Sequence, residues 1–210
     1  MGQINITDKF GKSIIHTIIE NNLSTNLEIG SWDGTGSTQC IIYGMNMINN
    51  PNKILQCIEV VPEKYNNLVA NIKETYVKSY NMSSIGKNDL IPKTFDEIWY
   101  SPFNKLSKNY SRNVVEGWFK DDLKYLPDNG FINSKEALPT YDMVLIDGSE
   151  FFGYSEYYLL KNKTKCFILD DVFYAYKCNQ IYNDLINNNE WKVISKNDSD
   201  RNGYAIFIKK

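Results

Sequence analysis

Two short apolar runs of this chain end in acids: MVLID at residues 143–147 and CFILDD at residues 166–171. Continuous apolar runs of this length are expected of central parallel strands covered on both faces. Asp147, Asp170 and Asp171 are then expected at strand ends on one rim of a sheet. Three hard oxygen donors in one place suit Mg²⁺ or another divalent ion, which keeps some water and leaves a position for a substrate. An ion held there lowers the pKa of a bound hydroxyl and makes an alkoxide available for attack. Strand-end acids also cap helices and complete turns without binding anything.

A second set lies in LEIGSWDGTGST, residues 27–38. Gly30, Ser31, Trp32, Asp33, Gly34, Thr35 and Gly36 follow a strand-like run and precede a helical one. Glycines there let the backbone turn sharply and approach a ligand, while the following helix offers free N–H groups. The spacing is GxxxGxG, not the GxGxxG that cradles a dinucleotide pyrophosphate. Glu59 ends the next apolar run, ILQCIEV, where a carboxylate can accept both hydroxyls of a ribose. That geometry suits NAD and S-adenosylmethionine equally, and the deciding feature is Glu28, two residues before Gly30.

With Glu28 the pattern reads E-x-G-x-x-x-G-x-G. Here the sequence resembles the class I S-adenosylmethionine-dependent methyltransferases, in particular the branch containing catechol and macrocin O-methyltransferases. The resemblance runs from Leu27 through the C-terminal residues, apart from an insertion. It implies that Glu28, Gly30, Ser31, Gly34 and Gly36 border the methionine part of the cofactor, that Glu59 binds ribose, and that Gly86, Lys87 and Asn88 flank adenine. Trp32, Ser37 and Val60 are counted with these cofactor-binding residues, as is Asp147. The resemblance also carries the metal role to Asp147, Asp170 and Asp171. The chain departs from its relatives after Asp147: they often have His or another catalytic residue there, and this chain has DGSE. Glu150 is the candidate general base beside Asp147, with an exposed loop acid as the alternative. The implied reaction is methyl transfer to a hydroxyl of a small molecule, with a sugar or a polyketide-derived hydroxyl as the acceptor classes, and it needs chiefly alignment of oxygen, carbon and sulfur. An NAD-dependent oxidoreductase and a catalytically inactive cofactor-binding module are the competing readings.

The elements that must position these residues follow from hydrophobic periodicity, which switches repeatedly between helical and strand spacing. The expected fold is α/β: a Rossmann-like class I methyltransferase sandwich, with a mostly parallel seven-stranded sheet that ends in an antiparallel hairpin and helices on both faces. Phe10, Ile14, Ile15, Ile18 and Ile19 make one face of an opening helix. Strands are expected at 26–31, 54–60, around 80–85, at 143–147 and at 166–171, with helices at about 36–48, from Pro62, at 154–160 and at 174–186. WKVIS and YAIFIKK, joined through Asn202-Gly203, form the hairpin. Residues from about 92 to 140 exceed what one crossover helix needs. The expectation is an insertion or lid at about 93–125. Within it, residues 114–125 would supply the crossover helix, and Trp99, Tyr100, Phe103 and Tyr110 would form a cover over the acceptor, a packing cluster or an oligomer contact.

At 210 residues the chain suits one domain spanning 1–210. A hydrophobic fraction of 42 % and a formal charge of −2 support neither disorder nor broad attraction to nucleic acid or an anionic membrane. No apolar run approaches the roughly 18 residues needed to span a bilayer, and residues 1–25 lack a signal peptide's pattern. A cytoplasmic protein with a small-molecule partner is expected, with no nucleic-acid or membrane partner and with a homo-oligomer open. Cys40, Cys57, Cys166 and Cys178 lack metal-ligand spacing and read as buried thiols. His16, the only histidine, lies on the opening helix as a surface or packing residue.

Overall fold

The computed structural model describes residues 4–210. A seven-stranded sheet carries β1 (Thr25–Ile29), β2 (Ile54–Ile58), β3 (Val77–Tyr80), β4 (Tyr141–Ile146), β5 (Thr164–Asp170), β6 (Trp191–Asn197) and β7 (Tyr204–Lys209) in the order β3-β2-β1-β4-β5-β7-β6. The first five strands are parallel, and β7 returns antiparallel against β5 and β6. Chain order therefore reverses between β1 and β4, and open α/β sheets bind their ligands in the crevice that such a reversal leaves beyond the strand ends.

Alternation within the strands divides the interior in two. Met143 and Leu145 of β4 join Leu55, Cys57 and Ile168 on one face, under α1 (Lys9–Asn21), α2 (Ser37–Met47) and α3 (Pro62–Asn71). Val144 and Ile146 join Ile29, Phe167 and Phe207 on the other, under α5 (Arg112–Leu123), α6 (Gly153–Leu160) and α7 (Asn179–Ile186). Because both faces are covered, the central strands are apolar throughout. All four cysteines are buried and free. The opening helix buries Phe10, Ile14, Ile15 and Ile18 and starts at Asp8, whose carboxylate accepts from the Gly11 N–H at 2.6 Å. Pro62 opens α3, where its missing N–H leaves no helical bond unmade.

Two expectations need correction. The third strand is Val77–Tyr80 and meets the expected 80–85 only at Tyr80. It is a half-covered edge strand with weak patterning, whereas the apolar residues after it belong to a connection in which the Ser83 and Ser84 carbonyls accept from the Phe131 and Ile132 N–H groups. The helix expected over 174–186 is α7, Asn179–Ile186. Residues before Cys178 are drawn out as a loop because Glu150 accepts from the Tyr176 and Lys177 N–H groups, at 2.6 and 3.1 Å. The segment from 93 to 125 carries the helix expected over 114–125. It holds α4 (Phe95–Trp99) and α5, with Phe95 and Phe119 buried ring against ring, centroids 5.8 Å apart.

Candidate functional site

A cavity of about 240 Å³ opens beyond the ends of β1, β2, β3 and β4. Gly30 and Trp32 come from the turn after β1, Glu59, Val60 and Val61 from the end of β2, and Met82, Ser83 and Ser84 from the chain after β3. Asp147, Gly148 and Ser149 follow β4, Phe152 and Glu156 come from the region of α6, and Asp122 and Tyr125 come from the end of α5. Gly30 has φ +89°, and a Cβ there would lie 2.4 Å from the Asp147 carbonyl oxygen. Only glycine lets β1 and β4 turn outward so close together.

Four carboxylates line this cavity, those of Glu59, Asp122, Asp147 and Glu156, and among the described residues no lysine, arginine or histidine does. Glu59 accepts the Trp32 N–H at 2.9 Å and the Val61 N–H at 2.8 Å. Burial pushes its pKa up against those two bonds. Asp122 is raised by burial as well and accepts from the Ser149 hydroxyl. Glu156 is 1 % exposed. Its Oε1 accepts from the Ser84 hydroxyl, its Oε2 has no hydrogen-bond partner, and burial raises its pKa to about 7.

Behind Asp147 the three strand-end acids converge: one carboxylate oxygen from each of Asp147, Asp170 and Asp171 lies within 4.8 Å of the others. Asp171 has φ +55°, in the left-handed region that Asp tolerates better than most residues. Lys177 reaches into the group, with Nζ 2.8 Å from Asp147 Oδ1 and 2.7 Å from Asp171 Oδ2. Burial disfavours its charge, yet Asp147, Asp171 and Asp170 together hold Lys177 protonated well above its usual range. Arg201 pairs with Asp170 Oδ2 at 2.9 Å, and the Asn202 amide donates to Asp171 Oδ1 at 2.9 Å. Asp170 Oδ1 is buried without a hydrogen-bond partner.

The sequence matches no protein-family model and no curated protein. Solved structures do match across nearly its full length. A putative caffeoyl-CoA O-methyltransferase from Staphylococcus aureus is 17 % identical over 99 % of this chain and 86 % of its own, with TM-score 0.59. An O-methyltransferase from Bacillus cereus, in complex with SAH, is 10 % identical over 98 % and 83 %, with TM-score 0.59. The O-methyltransferase TomG from Streptomyces achromogenes, involved in tomaymycin synthesis and in complex with SAM, is 10 % identical over 99 % and 82 %, with TM-score 0.60. The fold is that of the class I methyltransferases.

Of the residues read as cofactor-binding, Gly30, Trp32, Glu59, Val60 and Asp147 line the cavity. Others do not. Glu28 is wholly buried and accepts from the Ser37 and Thr38 hydroxyls at 2.6 and 2.7 Å. It ties the glycine turn to the start of α2, so Glu28 and Ser37 act on the turn from behind. Ser31, Gly34 and Gly36 shape the turn without lining the cavity. Gly86 packs on Asp128, where a Cβ would meet the carbonyl oxygen at 2.3 Å, and Lys87 and Asn88 are exposed. After β3 it is Ser83 and Ser84 that line the cavity, because the strand ends earlier than the apolar pattern suggests. Glu150, the candidate base, is absent from the lining and instead holds the loop that carries Lys177. Trp99, Tyr100, Phe103 and Tyr110 do not cover the cavity either; Trp99 and Phe103 pack on the core, and Tyr100 and Tyr110 are exposed.

Sequence reasoning missed Asp122, Tyr125, Glu156 and Lys177. Glu156 sits in an aromatic and aliphatic helix where a buried acid is out of place, and that is a signal available from the residues. For the other three the pattern holds none, since their roles depend on how α5 and the 172–178 loop dock.

Proposed function

We propose that this protein transfers a methyl group from S-adenosylmethionine to a hydroxyl of a small molecule or sugar. The observation that carries the reading is the cavity itself: four acids and no basic side chain, placed at the chain reversal of a class I methyltransferase fold. Such a lining repels a dinucleotide's pyrophosphate and attracts a ligand bearing positive charge. S-adenosylmethionine is such a ligand, and when bound it supplies the electrophilic methyl on a sulfonium. Glu59, fixed by two backbone N–H groups, keeps lone pairs free for ribose hydroxyls. Gly30 admits the ligand close to the backbone, and Trp32 and Val60 flank it.

The acid group beside Asp147 fits a divalent ion by donor chemistry and by the unpartnered, buried Asp170 Oδ1. Asp147, Asp170 and Asp171 would hold the ion, which lowers the pKa of an acceptor hydroxyl when bound. A second reading is favoured by Lys177, whose ammonium already bridges Asp147 and Asp171: it would serve as the positive charge at this place, with transfer independent of metal.

The reading is tested by thermal unfolding with S-adenosylhomocysteine and with NAD or NADP. Ligand at 100 times its dissociation constant stabilises by roughly 2.7 kcal/mol, which is about 5–10 °C for a chain of this length. A shift with NAD alone removes the proposal. Methyl transfer measured after chelation and again with Mg²⁺ restored, in wild type and Lys177→Met, separates the two readings of the acid group.

A further inference from the structure

One side of α5 packs on the core and the other has nothing against it. Val115 and Phe119 are buried, whereas Val114, Trp118 and Tyr125 are 38–45 % exposed. Tyr125 lies in the turn that continues the helix, its N–H bonded to the Asp122 carbonyl at 3.1 Å. With Asp121, these residues recur at intervals of four, three and four along the chain, the spacing by which one helix lays a seam on another. The exposed Tyr110 extends the seam at its N-terminal end, its ring edge-on to Trp118 with centroids 4.8 Å apart. Gly117 lies beside the seam, and a Cβ there would meet nothing within 4 Å. Glycine weakens a helix interior relative to alanine, and no neighbour among the described residues requires it here. It leaves a notch next to the Trp118 ring.

The charges of α5 run against its own dipole. Arg112 opens the helix, no acid stands in its first turn, and Asp121 and Asp122 fall in its last. A helix favours the opposite arrangement. Lys120 does little to offset this, because Glu116 of the same helix pairs with it at 2.8 Å. An antiparallel second α5 reverses the relation. With a two-fold axis passing between Gly117 and Trp118, the Arg112 end of each copy lies beside the exposed Asp121 of the other. The same axis sets Trp118 against the notch at Gly117 and Tyr110 against Tyr125, each contact made twice, as an isologous interface requires. The area agrees as well. The exposed parts of Tyr100, Tyr110, Val114, Trp118 and Tyr125 come to roughly 500 Å², if a whole aromatic side chain offers about 200 Å². A standard interface has about 800 Å² per partner, of which roughly 55–65 % is apolar.

We propose that the seam of Val114, Trp118, Asp121 and Tyr125 packs antiparallel on the same seam of a second copy, making the protein a two-fold dimer through α5. The occupant is a second copy because notch, ring and charge are complementary to one another within this single face. Tyr125 also lines the cavity, so interface and cavity share a side chain. The dimer goes beyond the methyl-transfer reading and stands without it.

The test is sedimentation equilibrium of the full chain at about 1–100 µM, where wild type should be a dimer. Trp118→Ala and Gly117→Gln should each weaken association at least about tenfold. The Gly117→Gln monomer should be no less stable than wild type in urea unfolding, since the position is open and glutamine is the better helix former; loss of the dimer is then not loss of the fold. Arg112→Glu and Asp121→Lys should each weaken the dimer about threefold to tenfold, and the double variant should recover it, because only charges meeting across two copies are restored by the exchange. A wild type that stays monomeric up to about 100 µM leaves the seam to an occupant other than this chain and overturns the proposal. So does a dimer indifferent to both Trp118→Ala and Gly117→Gln. Weakening by the two charge variants without recovery in the double variant overturns the antiparallel pairing.

Discussion

The two ends of the sheet use their acids in opposite ways. At the start of β4, Asp142 accepts from the Ser24 and Thr25 N–H groups, both at 3.0 Å, and from Lys165 at 2.7 Å. Burial works against its charge, but these partners hold its pKa down at about 2. Beyond the opposite strand ends, Glu156 and Asp170 are buried more deeply than Asp142 and each keeps one oxygen without a partner. Burial pushes both upward, and for Asp170 the charges of Asp147 and Asp171 add to it. An acid whose bonds are all made by its own chain serves the fold. Acids left short of donors at the cavity end weaken the fold and are suited to what enters.

The comparison breaks first at Glu59, which is half of each kind: two backbone bonds made, further lone pairs open. Glu59→Gln should weaken S-adenosylhomocysteine binding by roughly 100-fold in titration calorimetry, since charge-assisted bonds to both ribose hydroxyls are lost. Unchanged affinity would place Glu59 with Asp142 as a structural acid.

Asp142→Ala should cost about 2 kcal/mol in urea unfolding, because two backbone N–H groups and Lys165 lose their acceptor. Ligand affinity should stay within twofold of wild type. The pH dependence has a definite sign: with the folded pKa at about 2, below the usual carboxylate value, the Asp142 contribution is present above pH ~4 and lost as pH falls toward 2. A wild-type and Asp142→Ala difference that persists undiminished at pH 2 would contradict this.

Glu156 should show the opposite. Its pKa is raised to about 7 from 4.5, so the folded state holds the proton more tightly than the unfolded state does. Its destabilising effect is absent below pH ~4.5, grows as pH rises through 7 and is constant above that. Glu156→Gln should therefore unfold about 2–4 °C above wild type at pH 8.5, an effect of order 1 kcal/mol, and level with it at pH 4.5. A variant less stable than wild type at pH 8.5 would show the carboxylate to be structural after all.

The smallest effect belongs to Asp33. It accepts from the Thr35 N–H at 3.1 Å, within its own turn, so Asp33→Asn should change cofactor affinity by less than about twofold. Losses equal to those of Glu59→Gln would mean that both acids recognise the ligand.

Much of this contrast could be read from residue order. Hydrophobic periodicity places four of the five parallel strands, and each of the acids Glu59, Asp147, Asp170 and Asp171 follows an apolar run, so their common rim is a matter of strand direction. The hairpin was legible in the same way, although its connection spans 198–203, with left-handed backbone at Arg201 and Gly203, rather than the tight turn that Asn202-Gly203 suggests. The aromatic stretch misled because rings that pack and rings that cover a ligand have the same composition. Phe95 has Phe119 as its neighbour only once α4 folds back on α5.

By itself, then, the sequence determined the sheet, the glycine turn and the strand-end acids, because these follow from spacing along one chain and from the fixed direction of parallel strands. Tertiary structure alone decided which carboxylates are satisfied. Glu28 has hydroxyls nine and ten residues away, and Glu150 has backbone N–H groups 26 and 27 residues away. Asp147 meets an ammonium 30 residues away, and Glu156 meets a hydroxyl 72 residues away. Whether a buried charge is spent on the fold or left for a ligand depends on donors brought near by packing, and the spacing of acids along the chain does not contain that information.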